Sequence, residues 1–114
     1  MRVNILHSPN HSVKNRTKKD VKFIVIHYTG MQSVRACIKR LTDSKSKVST
    51  HYLIDRKGKT VSMVDEKNTA WHAGQSKWKN FTNLNRHSIG IELVNKGHQF
   101  GYENFSKKQI PKLI

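Results

Sequence analysis

The sequence predicts a mixed α/β domain, a central twisted β-sheet with flanking helices. Three observations carry that reading. Residues 23–28 read Phe-Ile-Val-Ile-His-Tyr, a β-branched run of buried-strand type, and lead through Gly30 into a helical repeat of apolar positions. Residues 50–55 and 60–64 flank Arg56-Lys-Gly-Lys59, a connection of hairpin length with a glycine in it. Residues 88–94 return to a short strand pattern after a long aperiodic stretch. Strand, helix, hairpin, loop and strand in that order describe a sheet with a helix on one face.

Taken from the N-terminus, residues 1–20 are polar and basic with a turn at Ser8-Pro-Asn10, so they are expected to form an extended arm, with order starting near Val21. In the 23–28 strand, alternation places Phe23, Val25 and His27 on one face and Ile24, Ile26 and Tyr28 on the other. Val34, Cys37, Ile38 and Leu41 form an apolar stripe at helical spacing, with Ser33 as N-cap, which predicts a helix over 33–42. Residues 66–87 follow neither period, hold both tryptophans, and are long enough for a functional loop. In the last strand Ile89, Ile91 and Leu93 share one face, and Gly90, Glu92 and Val94 the other. Ser106-Lys-Lys-Gln109 is a capping box that opens a helix, with Pro111 soon after.

At 114 residues the chain suits one domain. A mean hydropathy of -0.70 requires the core to come from a few concentrated runs, which are the strands just described. Lys and Arg number 22 against 7 Asp and Glu, a net charge of +15 that attracts anionic polymers in general. The basic residues are scattered without a continuous helical stripe and read as a solvated surface, and a nucleic-acid binder ranks last among the readings because it leaves Glu92 and the Trp71-His72 loop unexplained. Cys37 is the one cysteine, so an intrachain disulfide and a four-cysteine zinc framework are both excluded. No signal-like or membrane-spanning apolar stretch is visible, and the expected residence is cytoplasmic, with the periplasm or cell wall left open.

Four segments place an imidazole or carboxylate among apolar residues, at a cost that calls for a partner, a metal or a function. His27 ends the first strand, where a sheet can hold a metal ligand rigidly. Glu92 has apolar neighbours on its own face, so desolvation should raise its pKa toward neutrality and suit it to proton transfer. His51 starts the hairpin, and Trp71 and His72 lie in the aperiodic loop, where they could line a cleft. His7, His11, His87 and His98 sit in polar segments and read as surface residues, while Asn83, Asn85, Gly97 and Gly101 read as turn formers.

Ile26-His-Tyr-Thr29, Val48-Ser-Thr-His-Tyr-Leu-Ile-Asp55, Ala70-Trp-His-Ala-Gly74 and Ser88-Ile-Gly-Ile-Glu-Leu-Val-Asn95, in this order, resemble bacterial zinc N-acetylmuramoyl-L-alanine amidases of the type 2 family, which share the peptidoglycan recognition protein-like fold. Ser8-Pro-Asn-His11, Asn95-Lys-Gly-His98 and Gly101-Tyr102 look closest to the wall-recycling branch. The resemblance implies hydrolysis of the amide between N-acetylmuramic acid and L-alanine in peptidoglycan or muropeptides, with zinc as cofactor. By position it implies His27 as a zinc ligand, Glu92 as the catalytic glutamate, and Trp71, His72, Tyr28, His51 and Asn95 at the substrate cleft. The family takes two further zinc ligands, a histidine and an aspartate, from a segment beyond the helix that opens at Ser106. Residues 21–114 are therefore expected to hold the N-terminal two thirds of a C-terminally incomplete amidase domain, and a peptidoglycan-binding module without catalysis is the alternative. Intact wall and released anhydro fragments are both open as substrates, and oligomeric state is not legible.

Overall fold

The computed structural model describes residues 3–13, 16–73, 77–78, 81–97 and 104–113. Strands β1 (Val3–Ile5), β3 (Phe23–Tyr28), β4 (Tyr52–Ile54), β5 (Thr60–Ser62) and β9 (Ser88–Leu93) form one five-stranded sheet in the order β1-β5-β4-β9-β3. β9 pairs in parallel with both β3 and β4, β4 and β5 are antiparallel, and β1 lies parallel to β5. Two small antiparallel pairs stand apart from it. One joins β2 (His11–Ser12) to β6 (Thr69–Ala70), and the other joins β7 (Lys77–Trp78) to β8 (Phe81–Thr82). The fold is thus the mixed α/β architecture that the sequence predicts.

Helix α1 (Val34–Thr42) starts where expected, with the Ser33 hydroxyl accepting the Ala36 N–H at 3.1 Å. Cys37 and Leu41, one turn apart, are buried against Leu53, Val61, Met63 and Val94, while Arg35 and Lys39 stay on the far side. This cluster glues the helix to one face of the sheet. Burying each aliphatic side chain contributes about 1.5–3 kcal/mol. The hairpin is closed by Asp55, whose Oδ1 accepts the N–H groups of Lys57 and Lys59 at 2.9 and 2.8 Å. Gly58 has φ +83° there, and a Cβ on it would also meet the Lys108 carbonyl oxygen at 2.6 Å, so two constraints favour glycine.

The expected arm over residues 1–20 is corrected by the structure. Val3–Ile5 is a strand of the main sheet, and Ser8 and Asn10 are buried. The Ser8 hydroxyl donates to the Leu41 carbonyl, the Asn10 Nδ2 donates to the carbonyls of Asp43 and Val48 at 2.9 and 2.8 Å, and the Ser49 hydroxyl donates to the Asn10 carbonyl. The segment is held by polar contacts that satisfy carbonyls freed at the end of α1, not by an apolar stripe. Arg16 is buried too, donating to the carbonyls of Asn85 and Ser88 at 3.1 and 2.8 Å.

Residues 66–87, read as aperiodic, hold β6, β7, β8 and a 3₁₀ turn over Leu84–His87, pieces too short to show a period. Strand limits elsewhere contract by one to two residues from the expected 50–55, 60–64 and 88–94. Near the C-terminus the Ser106 N–H donates to Gln109 Oε1 at 3.0 Å, half of the expected capping box, and a 3₁₀ turn over Ile110–Leu113 follows. Gln109 is fully buried and ties the carbonyls of Ile54 and Val94 together at 3.1 and 3.0 Å. Among the described residues, no helix is long and apolar enough to cross a membrane. His98, Gly101 and Tyr102 lie outside them.

Asn10→Ala removes the buried side-chain donor that ties the Asp43 and Val48 carbonyls to the N-terminal segment, and urea unfolding should show a loss of about 1–2 kcal/mol. A change below about 0.5 kcal/mol, the ordinary surface value, would show that the segment is not locked.

Candidate active site

Parallel pairing of β3 with β9 sets His27 opposite Glu92 in register, and both project from the C-terminal ends of their strands. Ligands of parallel sheets gather at that edge, because the following loops and helix starts converge there. A cleft of about 770 Å³ opens at this edge, lined by residues 29–33, by Ala36 and Arg40 of α1, and by His72 and Glu92.

His72 reaches the site from the loop after β6. Its own N–H and that of Ala73 both donate to Asn85 Oδ1, at 3.1 and 2.8 Å, which fixes the loop against the 3₁₀ turn before β9. The ring lies over Gly90, where any Cβ would overlap it. His72 Nδ1 meets His27 Nε2 at 3.0 Å, and His72 Nε2 meets the Ser88 hydroxyl at 3.0 Å. The two imidazoles sit edge to face with centroids 5.2 Å apart. Burial, then the proximity of His27, His51 and Arg16, pushes the His72 pKa down to about 3, so the ring is neutral at physiological pH. Burial also lowers that of His27.

Glu92 shows the opposite sign. Desolvation raises its carboxyl from the ordinary 4.5 to about 7, opposed by the positive charge of Arg40. A carboxyl that titrates near neutrality can both take a proton and return it.

Of the residues expected here, His27, His72 and Glu92 come together. His51 does not join them as a ligand-facing group. It is fully buried, with Nε2 on the Asn68 carbonyl at 2.8 Å and Nδ1 accepting the Gly90 N–H at 3.0 Å, and its ring backs that of His72 at 6.3 Å. Trp71 has its indole N–H on the Ser12 hydroxyl at 3.0 Å and its backbone N–H on the Ser49 hydroxyl at 2.9 Å, which ties it to the N-terminal segment. Tyr28 points to the far face of β3, half exposed, with its ring against Gly97, where φ is +69° and a Cβ would collide with that ring. Asn95 is buried beside the site, its Oδ1 accepting the Gly97 N–H at 3.0 Å and its N–H donating to the Thr29 hydroxyl at 3.2 Å. His87, read as a surface residue, is partly buried, with Nδ1 on the Asp20 carbonyl at 3.0 Å.

The sequence reading passed over Ser88 and Arg40 and took Asn85 as a turn former, whereas its side chain anchors the His72 loop. Each is polar at an unremarkable position, and only Ser88, just ahead of the Ile-Gly-Ile-Glu run, had a signal in its place in the motif.

Catalytic zinc takes three protein donors and keeps one position for water. Among the described residues no three His, Cys, Asp or Glu side chains are grouped to hold a metal. His27 commits Nε2 to His72, and His72 spends both nitrogens on His27 and Ser88, so these residues do not complete such a site.

The site is thus a cleft at the carboxyl edge of a mixed sheet, with a helix on one face and a glutamate and two histidines brought together. Residues 17–114 match the family model described as N-acetylmuramoyl-L-alanine amidase, and the chain belongs to that family. It is 42% identical over 106 residues to the N-acetylmuramoyl-L-alanine amidase AmiD of Escherichia coli, covering 82% of this chain and 37% of that protein. It is 30% identical to the 1,6-anhydro-N-acetylmuramyl-L-alanine amidase AmpD of Haemophilus influenzae, covering 78% of this chain and 58% of that one. Among solved structures, a selenomethionine AmpD superposes with a TM-score of 0.77 at 25% identity, over 97% of this chain and 69% of that one. AmiD of E. coli in complex with anhydro-N-acetylmuramic acid-L-Ala-D-gamma-Glu-L-Lys superposes with a TM-score of 0.74 at 35% identity, over 88% and 44%. The chain thus spans between about a third and three fifths of the length of these two curated relatives.

The electrostatics predict a pH signature in stability. Since the folded pKa of Glu92 exceeds its ordinary value, the native state holds a proton that the unfolded chain has released between about pH 4.5 and 7, and its contribution to stability is lost as pH rises through that window. Glu92→Gln removes this loss. The stability of the variant relative to wild type, from urea unfolding, should therefore increase between pH 5 and pH 7.5. A difference independent of pH would show that Glu92 titrates as an ordinary carboxylate.

Proposed function

We propose that this chain carries the muropeptide-recognising core of an N-acetylmuramoyl-L-alanine amidase, with Glu92 as the group that moves the proton during hydrolysis of the amide to L-alanine. The observation that carries the reading is Glu92, titrating near 7 at the cleft edge and in register with His27. In this role the carboxylate takes a proton from the attacking water and returns it to the nitrogen of the departing L-alanine. His72, neutral and packed on Gly90, bounds the cleft without bringing charge to it, which keeps the surroundings of Glu92 poorly solvating. The substrate class is the one in the AmiD complex, an anhydromuramoyl peptide.

Zinc belongs to this proposal as the family's cofactor. When bound it polarises the scissile carbonyl and acidifies water. His27 is the residue of this chain that would contribute to holding it, and the remaining donors must come from outside the described residues. A second reading, in which the cleft binds muropeptides without cutting them, draws on His72 having both nitrogens committed to His27 and Ser88.

The two readings separate by mass spectrometry of an anhydromuramoyl peptide incubated with the protein and zinc, beside a chelated sample and Glu92→Gln. The first predicts free stem peptide, falling by about 10²-fold or more in the variant and abolished by chelation. Binding of the intact muropeptide in calorimetry with no release supports the second. Neither binding nor release would overturn both.

A further inference from the structure

Proton bookkeeping around His72 leads past the assignment of His27. The Ser88 hydroxyl has one hydrogen, and the Leu84 carbonyl 2.7 Å away can only accept it. The contact of Ser88 Oγ with His72 Nε2 at 3.0 Å therefore requires the imidazole to donate, which puts the proton of the His72 ring on Nε2. His72 Nδ1 is then a lone pair, and its 3.0 Å contact with His27 Nε2 requires that nitrogen to carry the proton of the second ring. The chain of donors ends at His27 Nδ1, for which no described residue supplies a partner. A reversed chain, with both rings protonated on Nδ1, would need the Ser88 hydrogen to turn from Leu84 to His72 and give up a hydrogen bond in a buried place. Ser88 is fully buried, so that loss is not made good by water.

We propose that Ser88 and His72 are positioning residues that fix His27 as the Nε2–H tautomer and leave Nδ1 as an open lone pair on the sheet edge beside Glu92. The relevance of that lone pair rests on the amidase reading, in which His27 is a metal donor, since a histidine binds a metal only through an unprotonated nitrogen. In most such sites a carboxylate or carbonyl orients the ring directly. Here the orienting carbonyl is Leu84, acting through a hydroxyl and a second imidazole. The tautomer itself does not depend on metal, substrate or turnover. Gly90 takes part indirectly, because the His72 ring can hold this line only while no side chain occupies the space beneath it.

The test is a long-range ¹H–¹⁵N correlation spectrum of the ¹⁵N-labelled protein without metal at pH 7.5, which distinguishes the two neutral tautomers of each histidine. His27 and His72 should both show the single Nε2–H pattern. Ser88→Ala, which removes the acceptor, should convert the His27 pattern to an average of two tautomers, and Ser88→Thr, which retains a hydroxyl, should restore it. A wild-type His27 protonated on Nδ1 overturns the proposal, and so does a folded Ser88→Ala protein with His27 unchanged. If Ser88→Ala does not fold, the wild-type and Ser88→Thr spectra decide. Failure of muropeptide hydrolysis would count against the amidase reading and leave this spectrum, and the inference drawn from it, intact.

Discussion

The absence of a side chain at Gly90 is the constraint on which the site turns. The His72 ring occupies the space that a Cβ would fill, and from there it touches His27 on one side and Ser88 on the other. The same glycine donates its N–H to His51, and its carbonyl accepts the Thr50 hydroxyl at 2.8 Å and the His51 N–H at 3.1 Å. One residue of β9 thereby holds a fully buried and a partly buried histidine. A larger residue there would displace His72 and open the floor of the cleft, since a packed interior yields to added volume only with strain.

Around that point the fold works as a frame for two strand ends. Parallel pairing of β3 and β9 brings residues 65 positions apart, His27 and Glu92, to the same edge in register. Helix α1 caps the core on the face that carries them, so the cleft wall belongs to the same packing unit as Leu53 and Val61. The N-terminal segment braces the construction from outside, with Ser8 and Asn10 taking up carbonyls after α1 and the Trp71 indole fastened to Ser12. A loop tied at several points can hold the His72 ring in one place against His27 and Ser88.

Much of this was legible because it follows from periodicity. The alternation in residues 23–28 put His27 and Tyr28 on opposite faces, though not which face is exposed, and the helical stripe gave α1 with its cap. The desolvation of Glu92 followed from its apolar neighbours. What escaped has a common physical origin. β1 is three exposed residues whose partner lies almost sixty residues away, so no local pattern marks it. Ser8, Asn10 and Asn85 act through hydrogen bonds to backbone far along the chain, and Ser88 through the His72 ring, which composition cannot show. His51 misled for the converse reason. A histidine in an apolar run has the same sequence signature whether it meets a ligand or has both nitrogens committed to backbone partners, and here it has the latter.

Electrostatically, the site lies in a strongly basic molecule, net charge +15, yet its central groups are neutral or nearly so. Burial achieves this by pushing the His72 imidazole down to about 3, which leaves it neutral, and the Glu92 carboxyl up to about 7, which leaves it about half protonated at pH 7. The surface charge attracts anionic partners in general, whereas the cleft itself presents a poorly solvated carboxyl. The most direct test of this account is a ¹³C NMR titration of the Glu92 side-chain carboxyl in the metal-free protein. The account predicts a midpoint near 7. A midpoint near the ordinary glutamate value of 4.5 would contradict it, because Glu92 would then be a solvated carboxylate with no special capacity to carry a proton.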